Sequence, residues 1–67
     1  MSNEDLTIRH YLEEIYGQVW NAEELARDFE IGDHMKPLVI VVRKADRKRG
    51  TMVYRDKPRY YHSFQPI

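Results

Sequence analysis

The chain has 67 residues, no cysteine and a formal net charge of zero, with 42% hydrophobic residues and 12% aromatic ones. A chain this short makes a single domain, residues 1–67, and buries only about 60% of the surface its unfolded form exposes, so its core is small and a homodimer is an open route to stability. Without cysteine there is no disulfide framework, thiolate zinc site or cysteine nucleophile, and the longest apolar run, LVIVV, falls far below the ~20 residues that cross a bilayer.

The acidic opening MSNEDLT lacks the apolar stretch of a secretory signal, so a cytoplasmic protein with no membrane partner is expected. Gly17, Gly32 and Gly50 then punctuate four parts. The first is a predicted helix. Thr7 can cap it, with Leu6 and Tyr11 as a hydrophobic staple. Ile8, Tyr11, Leu12 and Ile15 fall at the spacing of one buried face, Tyr16 adds to it, and Gly17 supplies the left-handed residue past the helix end.

After the short extended piece QVW, a second helix is predicted from Asn21, with Glu24 completing a capping box and Trp20 and Leu25 at the staple positions. Ala22, Leu25, Ala26 and Phe29 share its inner face, and Gly32 ends it. Trp20 is expected as the largest core residue.

The third part, DHMKPLVIVVRKADRKRG, has two readings. As a helix opened by Pro37, it turns Leu38, Val41, Val42 and Ala45 inward and leaves Val39 and Ile40 outside. As a strand, its four consecutive β-branched residues suit a pleated surface and keep side-chain freedom that a helix would remove. Propensity favours the strand, over residues 38–44. The last part, TMVYR and RYYHSF about DKP, reads as two strands and a tight turn, with Met52 and Tyr54 on one face and Thr51, Val53 and Arg55 on the other.

Charge is segregated along the chain. Residues 1–33 hold two cations against nine carboxylates, a net of −7, and residues 34–67 reverse this to +7. A basic surface attracts phosphates even at zero net charge, whereas two halves folded against each other would neutralise.

A striped helix, a VW extension, the capped helix NAEELARDFEI and a basic C-terminal hairpin, in that order, resemble the winged helix-turn-helix DNA-binding family. The resemblance implies an α+β fold, two N-terminal helices followed by a small antiparallel β-sheet or hairpin, winged-helix-like. It also implies a wing on the DNA backbone and a third helix in the major groove. Here the Pro37-led β-branched run stands in the place of that third helix. As a strand it leaves phosphate contact without a groove-reading element.

The expected function is therefore that of a small DNA-binding accessory or regulatory protein, with duplex DNA as partner and no cofactor. Its candidate nucleic-acid-binding residues are Lys36, Arg43, Lys44, Arg47, Lys48, Arg49, Arg55, Lys57, Arg59 and Tyr61: cations that displace counterions from phosphates, arginine forks that pair with their oxygens, and a tyrosine able to stack on a base. Since Tyr60 and Tyr61 alternate in direction, both can instead fill the core. The alternative is a protein-interaction module, a small inhibitor or adaptor that docks through its acidic helices or a sheet edge. Catalysis is not expected. Glu13 and Glu14 are adjacent and diverge on a helix, and the spacing of His10, His34 and His62 predicts no metal site.

Overall fold

In the computed structural model, which describes residues 3–67, Asn21 caps the second helix as its position predicts. Its side chain accepts from the Glu24 N–H, and the Glu24 carboxylate accepts from the Asn21 N–H. These two bonds satisfy donors that a helix start otherwise leaves open. The helix they begin, α2, spans Ala22–Asp28; before it come α1, Asn3–Tyr16, and the short strand β1, Val19–Trp20. Gly17 closes α1 at φ 84°, its N–H bonded to the Glu13 carbonyl at 2.9 Å.

Four further strands follow: β2, Phe29–Met35; β3, Leu38–Arg43; β4, Lys48–Arg55; and β5, Tyr60–Pro66. They form an antiparallel meander, and β1 pairs outside β5, which gives the order β1-β5-β4-β3-β2. Among the described residues the fold is α+β, two helices with a five-stranded antiparallel sheet.

The two helices cover opposite faces of that sheet. Val39, Val41, Met52, Tyr54 and Tyr61 pack with Leu25 of α2 and Phe29, joined by Trp20 and Phe64. On the other face Leu12 of α1 packs with Val19 and Tyr60, joined by Ile8. Neighbouring Tyr60 and Tyr61 enter different clusters, as strand alternation requires. Burying a large aliphatic side chain such as Leu25 contributes about 1.5–3 kcal/mol, so the first cluster carries most of the stability.

Several expectations hold. The extended reading of residues 38–44 becomes β3, and the last two strands appear with Met52 and Tyr54 buried on one face, and with Thr51 and Val53, half-buried, and Arg55, exposed, on the other. Others are corrected. Since α1 already runs from Asn3, Thr7 sits within it instead of capping it. Of the predicted stripe, Leu12 is buried and Ile8 half-buried, while Tyr11, Ile15 and Tyr16 are exposed, because the two-stranded edge beneath α1 offers only a narrow seat. Helix α2 stops at Asp28 and not at Gly32: the Phe29 N–H still donates to the Leu25 carbonyl, but its backbone is already extended. The chain passes directly into β2, which pairs along β3 and satisfies a strand edge that would otherwise be open. Ala22 and Ala26 are exposed.

Candidate functional site

The basic run from Arg43 to Arg59 does not fold into one surface. Because β4 runs the length of the sheet, its two ends carry the cations to opposite poles, about 23 Å apart at the usual rise of ~3.3 Å per residue. Arg43, Lys44, Arg47, Lys48 and Arg49 gather at the β3–β4 turn. Lys36, Arg55, Lys57 and Arg59 lie at the other pole, by the β2–β3 and β4–β5 turns.

At the first pole most cations already have partners. Arg43 holds Asp46 through two bonds, Nε to Oδ1 at 3.1 Å and Nη2 to Oδ2 at 2.9 Å, and its guanidinium lies 5.0 Å from the Phe64 ring centroid. This pairing, with the Lys48 N–H as a second donor, lowers the Asp46 pKa to about 2. Arg47 bonds Glu30 at 2.8 Å, a carboxylate from the acidic half, and lowers its pKa. Lys44 caps the end of α2, its Nζ on the Ala26 carbonyl and its N–H on that of Asp28. Lys48 and Arg49 are exposed.

At the second pole Arg59 pairs with Asp56, donates to the Tyr61 hydroxyl at 3.1 Å and lies over the Tyr54 ring at 4.8 Å. Lys36 reaches Asp56 at 4.0 Å. Arg55 and Lys57 are exposed. Tyr61 is 3% exposed, so its ring offers no stacking surface to a base: α2 covers one side of β5 there and α1 the other. The three histidines are not brought together. His10 is exposed on α1, His34 meets the Tyr54 ring edge-on from β2, and His62 is buried beneath Tyr16.

A feature the sequence reading missed lies on the face that α1 only partly covers. Cross-strand partners form one row there, Val19, His62, Val53, Leu38 and Met35, across all five strands. Helix α1 seats Leu12 on Val19 and Tyr16 on His62. Beyond them Val53 and Leu38 are half-buried, and Met35 is 57% exposed. The next two rows add Thr51 with Ile40, then Arg49, Val42 and Glu30. A hollow of about 400 Å³ opens on this face, lined by Ile31, Ile40, Val42 and Ile67 with Glu30 and Arg49.

Antiparallel sheets with one wet face put polar residues on it. Here Leu38, Ile40, Val42 and Val53 occupy it. The signal was present in the unbroken run LVIVV: with no polar residue alternating, both faces of that strand are apolar and both call for cover. Comparison with protein-family models, with curated proteins and with solved structures finds no match.

Proposed function

We propose that the chain is a protein-interaction module that docks through the part of its sheet α1 leaves open. The observation carrying this reading is the row from Val19 to Met35, apolar along its length except at His62, and covered only over its first two members. The occupant is a second copy of the chain. Zero net charge leaves no long-range repulsion between copies. On the face itself Arg49 and Glu30 flank Val42 from opposite sides, so a two-fold partner sets Arg49 of each copy toward Glu30 of the other.

Sedimentation equilibrium tests this. The wild-type chain is expected as a dimer, and Ile40→Glu as a monomer with unchanged far-ultraviolet circular dichroism. Should Ile40→Glu unfold, Ile40→Thr keeps a β-branched residue and weakens the dimer by replacing an apolar ethyl group with a hydroxyl. A wild-type chain that stays monomeric up to about millimolar concentration, where ~4 kcal/mol of association would suffice, overturns the reading.

A second reading keeps duplex DNA as a partner, at the β3–β4 pole alone. What supports it is the local balance, Arg27, Arg43, Lys44, Arg47, Lys48 and Arg49 against Asp28, Asp46 and Glu30. With β3 a strand, such contact is to phosphates, without groove reading. It predicts binding that weakens with salt at a log-log slope of roughly −0.9 per phosphate, and that Lys48→Glu with Arg49→Glu removes. Salt-independent binding counts against it.

A further inference from the structure

Between the end of α2 and the β3–β4 turn lies an open groove of about 620 Å³, within the ~300–1,000 Å³ of small-molecule sites. Three aromatic rings line it. Phe29 is buried at its base, in edge contact with Trp20 at 5.5 Å and tilted against Phe64 at 5.3 Å. Trp20 and Phe64 are half-buried and keep part of their surface open.

The rim is charged. Arg27, Arg43 and Lys44 stand on it with Asp28. Arg43 is held by Asp46 and stacked on Phe64. Arg27 has its side chain 72% exposed, with Asp28 at 3.5 Å as a loose partner. Lys44 spends one of its three ammonium protons on the Ala26 carbonyl. Arg27 and Lys44 can thus receive an anion without giving up a buried contact.

A flat ring followed by a phosphate answers both features: rings to lie against and cations at the rim.

We infer that this groove binds a nucleotide, with its base against Trp20 and Phe64 and its phosphate on Arg27 and Lys44. The inference deepens the second reading above and rests on it for the cationic pole. Its source is either a free nucleotide or the unpaired end of a nucleic-acid strand.

Trp20 is the chain's single tryptophan, so indole fluorescence reports on this groove alone. The chain is titrated with thymidine monophosphate, with a short single-stranded oligothymidylate and with inorganic phosphate. Saturable quenching by either nucleotide probe, none by inorganic phosphate, and about tenfold weaker binding by Arg27→Ala, the loss of one charge-assisted contact, are expected. Quenching by the strand at least tenfold tighter than by the monophosphate assigns the groove to strand ends; equal affinities assign it to free nucleotides. Strand binding seen by anisotropy with unmoved Trp20 fluorescence overturns the groove and leaves the cationic pole standing. Absence of binding in every arm overturns the groove, and the cationic pole then stands or falls on the duplex titration above. Quenching by inorganic phosphate equal to that by the nucleotide overturns the role given to the rings.

Discussion

The Tyr16 ring lies flat on the His62 imidazole, with centroids 3.8 Å apart and planes 12° from parallel. It closes the last turn of α1 over β5, and His62 is left 5% exposed with Ser63 Oγ at 2.7 Å from its Nδ1. Burial penalises the charged ring and lowers the His62 pKa below its ordinary 6.5. The native chain therefore binds fewer protons than the unfolded one in this range, and stability rises with pH. The contribution is complete above about pH 6.5 and is lost as the pH falls below it toward the folded value. Urea unfolding at stepped pH between 7.5 and 5 should show this decline. His62→Phe, which keeps a stacked ring, should remove most of it, and an equally steep decline in that variant would assign the effect to other groups.

Asp46 gives a second titration with the opposite cause. The two bonds from Arg43, then the Lys48 N–H, favour its charged form and bring its pKa to about 2. Since the folded value lies below the ordinary 3.8, this stabilisation is present above about pH 4 and is lost as the pH falls through 2. The carboxyl resonance of Asp46, followed by NMR, is expected to titrate near 2 in the wild type. In Arg43→Met it should return most of the way to the ordinary value.

Gly50 is required by contact. A Cβ there would lie 2.5 Å from the Gln65 carbonyl oxygen and 2.6 Å from Phe64 Cε1. The carbonyl belongs to the β4–β5 ladder, so it cannot retreat freely, and overpacking of this kind costs about 1–3 kcal/mol. Gly50→Ala should lower the melting temperature by about 4–8 °C per kcal/mol in a domain of this size. Gly17→Ala makes an instructive contrast, since nothing lies within 4 Å of its Cβ position but φ is +84°. The strain is in the backbone alone, at about 1 kcal/mol, and Gly17→Asn should recover part of it where Gly17→Ala does not.

Local signals carried well into three dimensions. The capping box of Asn21 and Glu24 and the β-branched strand at residues 38–43 depend on near neighbours in the chain, and both were legible. Strand β2 was not. FEIGDHM has no alternation and contains Gly32 and Asp33, so nothing local marks it as extended; its pairing with β3 makes it so, with a register shift between Ile31 and His34. The cationic surface failed for a related reason. Residues 43–59 are contiguous in sequence, but a meander reverses direction at every turn and sends one basic run to two poles. Which face of LVIVV stays uncovered depended on where α1 sits, and that is set by contacts as distant as Leu12 with Tyr60.

Arg9 links the two helices, and its removal should separate their docking from their folding. Its Nη2 donates to Glu24 Oε1 at 2.8 Å and to the Val19 carbonyl at 3.1 Å, while Glu24 also accepts from the Asn21 N–H. The Asn21 bond, with Arg9 beside it, lowers the Glu24 pKa. Both side chains are less than a third exposed, so a charge-assisted bond here contributes about 1.5–3 kcal/mol. Arg9→Met loses the tie to α2 and β1 but leaves the capping box whole. Glu24→Gln keeps a capping acceptor and loses only charge. A double-mutant cycle by urea unfolding should give a coupling of about 1 kcal/mol or more between Arg9 and Glu24, and Asn21→Ala should cost about 1 kcal/mol through the cap. Strict additivity of Arg9→Met and Glu24→Gln would mean that the Arg9–Glu24 pair does not tie the helices together, and that α1 is held by Ile8, Leu12 and Tyr16 and by the Arg9 bond to the Val19 carbonyl.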